Sequence, residues 1–305
     1  MKAPPDWLDP GKPYLIGISG GRDSVFLHHW LSDHGFQFLT YCHLNHGLRD
    51  EESDGDESFL RTLLGDRLLT GNTDVGTLAK EEGLSLETAA RNARHEFFHE
   101  CSRRTGVSDI LLAHHADDQA ETILFNLLRG SAGAKGMKTV TRIGALNLLR
   151  PMLDLRRKEI DLYLDSRNLT YRDDSSNQLP FATRNRLRHE AFPLLKDILG
   201  RDPVPPLLRA NDYTRELEAI ANESLDDLEL LDPQGRLFLP KIRKLSPSLQ
   251  KLAIFHFLKS QQIPELSSLL IEKAMEIIPS DAPPSLSLPG GLRLRRKESR
   301  LFLSP

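Results

Sequence analysis

The sequence predicts an α/β protein with a doubly wound, mostly parallel sheet, followed by a mainly helical C-terminal region with a small terminal β-hairpin. Short apolar runs alternate with longer helical patterns over the first 130 residues, which is typical of βαβ units. This alternation stops after residue 150, and the length of 305 residues fits about two domains. We therefore expect an α/β domain over residues 1–200, a linker at 200–206 and a mainly helical domain over 207–305.

Four strand-like runs, each followed by a helical pattern, make up the first domain. The runs are YLIGIS, QFLTYC, DRLLTG and DILLA, and the helical segments are SVFLHHWLSDHG, ESFLRTLLG, LETAARNARHEFFHECSRRTG and DDQAETILFNLLRG. Ligands of such sheets bind at the carboxyl ends of the strands. The segments that follow the first, second and fourth runs should therefore share one crevice.

The composition is that of an ordinary globular chain, with 39% apolar and 27% charged residues. No apolar run approaches the roughly 18 residues that a membrane span needs, and the N-terminus has no apolar signal region. We therefore expect a cytoplasmic protein without a membrane partner. The net charge is −3, so any binding of nucleic acid must use local basic patches.

The motif SGGRDS after the first run predicts an anion site at a helix N-terminus. Gly20 and Gly21 allow close approach of the backbone, and Ser19 and Ser24 add hydroxyl donors. The lysine of a Walker A loop is missing. Because Asp23 would repel a bare phosphate, the motif favours ATP bound through Mg²⁺, with Asp23 as the candidate metal ligand. The alternative is a strand-to-helix turn in which Asp23 is simply a first-turn acid.

The segment HHADDQAET places a histidine and three acids near the start of the helix after the fourth run. His114 and Asp118 are four residues apart, as are Asp117 and Glu121, so each pair lies on one helix face. In the alternative interpretation, the acids at this helix start simply complement the helix dipole and His114 caps the helix. The helix dipole is a sufficient explanation for one acid. It is a weaker explanation for three acids beside an expected phosphate site.

Several motifs resemble a known family. SGGRDS resembles the SGGxDS signature of the PP-loop ATP pyrophosphatases, which cleave ATP between the α and β phosphates to adenylate a substrate. With HLNHGLRD, ETAARNARHEFF, LLAHHADDQAETILFNLLRGSAGAKGM, RPMLDLRRKEI and RNRLRHEAFPLL in this order, residues 13–200 resemble tRNA(Ile)-lysidine synthetase.

This resemblance implies a reaction and its partners. The C2 carbonyl oxygen of the wobble cytidine in an isoleucine tRNA with a CAU anticodon is adenylated by ATP. The ε-amine of free L-lysine then attacks C2, AMP leaves, and lysidine forms. Lysine's amine has a reference pKa near 10.4, so it needs an acceptor for its proton. Asp118 or Glu121 is expected in that role, with Asp23 or Asp117 nearer Mg²⁺, and a homodimer is plausible.

The resemblance also implies which residues contact the ligands. The catalytic candidates are Asp23, Asp117, Asp118 and Glu121. The ATP-binding candidates are Ser19, Gly20, Gly21, Arg22, Asp23, Ser24, Arg49 and His114. Those for lysine or tRNA are Glu87, Arg91, Arg94, Arg184, Asn185 and Arg188. A basic track for RNA could add Lys135, Lys138, Arg156, Arg157 and Lys158, and the C-terminal RLRRKESR either touches RNA or is a solvated hairpin. The resemblance further implies that residues 1–200 form the ATP-binding catalytic domain and that residues 207–305 form a tRNA-binding domain.

Other functions are weaker interpretations. The run from His95 to His99 is a literal HExxH zinc-protease pattern, but no third-ligand motif follows it. A tRNA thiolase would normally offer a CxxC motif, whereas Cys42 and Cys101 stand alone. GMP and NAD synthetases share SGGxDS but not the later motifs. A non-catalytic nucleotide- or RNA-binding module would not need so many acids beside a phosphate loop.

Overall fold

The computed structural model describes most of the chain in two compact units, Met1–Asp212 and Tyr213–Pro305. The described residues are 1–47, 50–131, 133–172, 183–226, 228–263, 266–279, 281 and 283–304, without the side chains of 50–54, 184 and 226. The division between the units falls inside a helix, Val204–Asp226. The domain bounds and the linker drawn from the sequence stay predictions, and the last three residues of that linker begin this helix.

The first unit contains a six-stranded, mostly parallel sheet, which confirms the predicted fold class. Its order is β3-β2-β1-β4-β6-β5, and only the edge strand β5 runs antiparallel to its neighbour. The strands are β1 (Tyr14–Gly17), β2 (Leu39–Asn45), β3 (Leu68–Asn72), β4 (Asp109–Leu111), β5 (Val140–Ile143) and β6 (Leu146–Leu149).

Helices connect these strands or follow β6. They are α1 (Arg22–Asp33), α2 (Asp50–Leu64), α3 (Val75–Glu82), α4 (Leu86–Thr105), α5 (Ala116–Leu128), α6 (Arg157–Ser166), α7 (Thr183–Arg186), α8 (Phe192–Leu199) and α9 (Val204–Asp226). A π-helical turn, Leu187–Ala191, lies between α7 and α8.

The central strands are buried on both faces. Leu15 belongs to one core cluster with Phe98 of α4, whereas Ile16 belongs to another with Phe26 of α1. Alternate residues of a strand point to opposite faces, so a strand that is apolar throughout must be covered on both sides. This requirement explains why the short apolar runs could be predicted as strands of a doubly wound sheet.

The sheet also fixes where the predicted site lies. From β1 the chain builds outward to β2 and β3, and it then returns to β4 on the other side of β1. The strand order therefore reverses between β1 and β4, and the segments after these two strands flank the crevice that forms there. These segments are SGGRDS and HHADDQAET, so the expected shared crevice is confirmed for this pair.

The second unit is a helical layer on a four-stranded antiparallel sheet of order β7-β10-β9-β8. Its elements are β7 (Leu237–Phe238), α10 (Leu239–Ile242), α11 (Pro247–Ser260), α12 (Ser268–Met275), β8 (Ser285–Ser287), β9 (Arg293–Lys297) and β10 (Arg300–Ser304). The predicted terminal hairpin is thus part of a larger sheet, because β9 pairs with both β8 and β10. In the described parts of the chain, no helix has the length and apolar character to span a bilayer.

Candidate functional site

The loop between β1 and α1 forms an open cradle of backbone and hydroxyl groups. Gly20 adopts φ +83°, which favours glycine. Gly21 precedes the first turn of α1 and provides no side-chain cap for its N–H groups. A Cβ on Gly21 would lie 3.2 Å from Ser19 Oγ and would crowd the cradle. Ser24 Oγ donates to the Gly21 carbonyl at 2.8 Å and accepts from the Ser19 N–H at 3.3 Å, which fixes the loop.

The helix after β4 begins at a buried histidine that the sequence analysis did not select. His115 is the N-cap of α5, and its Nδ1 accepts from the N–H groups of Asp117 at 3.2 Å and Asp118 at 3.4 Å. In return, Asp118 Oδ2 accepts from the His115 N–H at 3.0 Å. This is a capping box in which an imidazole replaces the usual hydroxyl.

The cap determines what the other imidazole nitrogen can do. Because Nδ1 accepts two hydrogen bonds, the proton of neutral His115 lies on Nε2. That nitrogen is 3.6 Å from Asp23 Oδ2 and 3.5 Å from Asp118 Oδ2, and it forms no hydrogen bond with any described residue, so its interaction with the two acids is electrostatic. His115 is fully buried. Inside the protein it therefore lies between Asp23 of the loop after β1 and the acids Asp117 and Asp118 of α5.

The charges around Asp23 keep it ionised. Burial would raise the pKa of Asp23, but contact with His115 and the charges of Arg22 and Arg157 outweigh burial and hold it well below its usual range. Asp23 is therefore a carboxylate at neutral pH. Arg157 was expected only on an RNA track, yet it lies close enough to act on this acid electrostatically.

A second cluster joins α5 to the π-helical turn. Arg188 donates from Nε to Glu121 Oε1 at 2.6 Å and from Nη2 to Glu121 Oε2 at 2.9 Å. The same Nη2 donates to Asp118 Oδ1 at 2.6 Å. Burial, reinforced by the charge of Asp118, outweighs Arg188 and raises the pKa of Glu121. The structure thus brings together Asp118 and Glu121 of one predicted motif with Arg188 of another.

Asp117 faces away from this cluster, towards the start of α6. Its carboxylate accepts from Arg156 Nη2 at 2.9 Å and from the Arg157 N–H at 2.8 Å, and Arg156 also donates to Asp202 at 2.8 Å. Burial opposes ionisation, but these contacts lower the pKa of Asp117. Arg156 is therefore occupied by two acids and differs from the RNA-facing residue that was expected, while Asp117 ties α5 to α6.

Arg22, at the variable position of SGGRDS, is also tied to α6. Its Nε donates to Asp23 at 3.2 Å, and its Nη1 lies 3.1 Å from Asp161. The guanidinium of Arg22 thus connects the phosphate loop to α6. These contacts favour a positioning role over direct contact with a phosphate.

His114, which precedes the cap, is a neutral group. Burial, opposed by Asp118 and aided by the charges of Arg150 and Arg94, lowers the pKa of His114 to about 4. Its buried Nδ1 has no partner among the described residues. His114 can therefore donate or accept a hydrogen bond at neutral pH, but it cannot act as a cation for a phosphate.

The other predicted residues are less involved in this geometry. Glu87 and Arg91 form an exposed pair at 3.5 Å on the first turns of α4, at the carboxyl edge of the sheet. Arg94 lies on the same helix and is exposed. Asn185 lies in α7, while Arg49 and the side chain of Arg184 are outside the described residues.

The two rival motifs find no support in the structure. Glu96 of the HExxH pattern pairs with Arg103 at 3.6 Å, and His99 packs beside Gly144. The described part of the chain contains no group of three metal-ligating side chains. Cys42 and Cys101 are buried in the core between β2 and α4, where the neighbouring Cys101 thiol and burial raise the pKa of Cys42. Neither thiol lies in the crevice.

The residues present fit a nucleotide. His43 donates from Nδ1 to the Ile18 carbonyl at 3.0 Å, which leaves its buried Nε2 as an acceptor without a partner among the described residues. The Nε of Arg157 is a buried donor that also has no hydrogen-bond partner among the described residues. These two orphaned groups, the open cradle and the Asp23 carboxylate are complementary to the donors, acceptors and anionic charge of a metal–nucleotide complex.

Comparison with known proteins agrees with this geometry. Residues 6–195 match the family model of the PP-loop domain, and residues 237–302 match that of the TilS substrate-binding domain. A tRNA(Ile)-lysidine synthase of Chlorobaculum tepidum is 31% identical over 306 residues, covering 94% of this chain and 92% of the relative. The chain belongs to the tRNA(Ile)-lysidine synthase family.

Other members of the family are longer. The tRNA(Ile)-lysidine synthase of Thermus thermophilus is 36% identical over 98% of this chain, which spans 58% of that relative's length. That of Geobacter sulfurreducens is 43% identical over 72% of the chain and 47% of the relative. A solved U34-tRNA thiolase from Methanococcus maripaludis superposes with TM-score 0.54 at 16% identity, covering 70% of this chain and 74% of that one, and shows the shared fold.

Substitution of His115 tests its role as the N-cap of α5. We expect His115→Ala to lower the free energy of unfolding by about 2 kcal/mol, because it removes an N-cap and leaves a cavity. His115→Asn supplies a new cap acceptor and should lose only about half as much. Urea unfolding followed by circular dichroism measures both. Equal losses in the two variants would contradict the capping role.

Proposed function

We propose that this chain forms lysidine on the wobble cytidine of the isoleucine tRNA with a CAU anticodon, using ATP and free L-lysine. The observation that carries the proposal is the contact of His115 with Asp23 on the phosphate loop and Asp118 on α5. This contact supports the proposal, because a cradle suited to ATP and acids suited to an amine would then be separated by a single side chain. The names of the relatives, including one covered over 92% of its length, support this assignment.

The first step uses the crevice beside β1. The cytidine C2 oxygen attacks the α-phosphorus of ATP, and pyrophosphate leaves from the cradle formed by Ser19 to Ser24. Backbone N–H groups at the start of α1 and the helix dipole stabilise the charge on the departing pyrophosphate. Asp23 would hold Mg²⁺, which neutralises phosphate charge when bound. Arg22 and His115 orient this carboxylate.

The second step uses the acids of α5. The lysine ammonium must lose a proton before its nitrogen can attack C2, which costs roughly 4–5 kcal/mol at pH 7. Asp118 is suited to orient the ammonium and accept that proton. Arg188 makes two hydrogen bonds to Glu121 and one to Asp118, so it can stay anchored on Glu121 while Asp118 Oδ1 turns to the amine. C–N bond formation then expels AMP with the C2 oxygen.

The function is tested by product formation. Purified chain with ATP, Mg²⁺, lysine and the unmodified tRNA should release one pyrophosphate and one AMP per lysidine, measured by enzymatic pyrophosphate detection and nucleoside mass spectrometry. Omitting tRNA should abolish product, because the cytidine is the group that is adenylated. Sustained pyrophosphate release without lysidine would contradict the proposal.

Asp118→Asn should separate the two steps. An amide cannot accept the ammonium proton, so we expect lysidine formation to fall at least about 100-fold, while tRNA-dependent consumption of the first ATP continues. The exposed acid Asp165 of α6 provides a control, and Asp165→Asn should retain wild-type rates. Single-turnover assays with radiolabelled ATP measure both steps. Unchanged lysidine formation in Asp118→Asn would remove Asp118 from the mechanism.

A further inference from the structure

Four arginines from α1, the start of α6 and the π-helical turn lie around the crevice, and three of them are paired with acids. Arg22, Arg156 and Arg188 are each held by two carboxylates. Arg157 differs from them, because no carboxylate among the described residues lies within ion-pair distance of its guanidinium. The crevice thus contains one arginine whose charge the protein leaves without a direct partner.

The backbone of Arg157 is fixed at the crevice by hydrogen bonds to the start of α5. The Ala116 N–H donates to the Leu155 carbonyl at 2.8 Å. Two residues further along, the Arg157 N–H donates to Asp117 Oδ2 at 2.8 Å. The segment that leads into α6 therefore runs beside the segment that leads into α5, and Arg157 is the first residue of α6.

The guanidinium of Arg157 interacts electrostatically with both the phosphate loop and the acids of α5. Burial lowers the pKa of Arg157, and so do the like charges of Arg188 and Arg22. The carboxylates of Asp23 and Asp118 act in the opposite direction. A cation that interacts with Asp23 of the loop and with Asp118 of α5 lies near the junction of the two proposed ligand sites.

This guanidinium is incompletely satisfied by the protein. Its Nε is buried and has no hydrogen-bond partner among the described residues. An unsatisfied buried donor destabilises a fold, the more so when it belongs to a charged group. A positive charge with an unused donor is complementary to an anionic oxygen, so a bound anion would supply the contact that the protein does not.

The proposed reaction identifies which anion would lie there. The cradle from Ser19 to Ser24 supplies backbone and hydroxyl donors for the β- and γ-phosphates. Lysine, oriented by Asp118, attacks the C2 atom whose oxygen has received the α-phosphate. The α-phosphate must therefore lie between the cradle and Asp118. Arg157 is the unpaired cation near that junction.

We propose that Arg157 binds the α-phosphate of ATP and stabilises its negative charge in the transition state of the first step. A lone pair of the cytidine C2 oxygen forms the new bond to the α-phosphorus, and the cytosine ring takes up positive charge. The bond to the β-phosphate oxygen breaks, and its electron pair leaves on pyrophosphate. A guanidinium fork matches two phosphate oxygens, and it can hold the same phosphate when AMP leaves in the second step. The inference rests on the proposed function, because ATP and the cytidine are its substrates.

The test compares three ligands in two matched variants of the full chain. Arg157→Gln removes the unpaired guanidinium, whereas Lys158→Gln removes an exposed cation from the next position of α6. Adenosine lacks phosphate, AMP carries only the α-phosphate, and pyrophosphate occupies the cradle alone. Isothermal titration calorimetry with Mg²⁺ gives each dissociation constant, and circular dichroism verifies that the variants are folded.

We expect Arg157→Gln to weaken the binding of AMP at least about tenfold, because a charge-assisted contact is lost. Adenosine and pyrophosphate should bind as they do to the wild type, and Lys158→Gln should alter none of the three constants. The tRNA-dependent exchange of pyrophosphate into ATP should fall about 100-fold in Arg157→Gln. Arg157→Lys keeps the charge but not the fork, so it should recover part of both losses.

Unchanged AMP affinity in Arg157→Gln overturns the proposal, as does a wild-type chain that binds AMP no more tightly than adenosine. An equal loss of affinity for pyrophosphate would assign Arg157 to the β- and γ-phosphates and overturn it as well. If Arg157→Gln does not fold, AMP affinity that is unchanged in Arg157→Lys overturns it instead. Failure of the proposed function has a separate signature, because the wild-type chain would then form no lysidine while the AMP difference between the variants persists.

Discussion

The buried imidazole of His115 is the interaction on which the rest of the site depends. It caps α5 through Nδ1, so it fixes the helix that carries Asp118 and Glu121. Its Nε2 lies 3.5–3.6 Å from carboxylate oxygens of Asp23 and Asp118, so the imidazole occupies the space between that helix and the loop after β1. A single side chain at the reversal of the strand order therefore contacts two segments that are far apart in the sequence.

Charge balance explains how so many acids can lie in one crevice. Arg188 pairs with both Asp118 and Glu121, Arg156 pairs with Asp117, and Arg22 lies against Asp23. An uncompensated buried carboxylate would cost several kcal/mol, so each acid needs such a partner before any ligand arrives. The arginines come from α1, the N-cap of α6 and the π-helical turn, so the charge pairs also join the elements that surround the crevice.

The sequence predicted the sheet well because its strands are buried on both faces, which produces short apolar runs such as YLIGIS. It also selected Asp118, Glu121 and Arg188, but their mutual contact spans 67 or 70 residues and leaves no local pattern. A histidine cap was considered at His114 but lies at His115, whose spacing of three from Asp118 was an available signal. The hairpin formed by β5 and β6 was also not predicted, although apolar and polar residues alternate in parts of the sequence on both sides of Gly144.

In the proposed mechanism the tRNA itself is adenylated beside the phosphate loop before lysine reacts at the acids of α5. This order is tested by the exchange of radiolabelled pyrophosphate into ATP. We expect exchange that requires the tRNA and proceeds without lysine. Exchange that requires lysine but proceeds without tRNA would mean that lysine is the activated substrate, and it would rule out this order of steps.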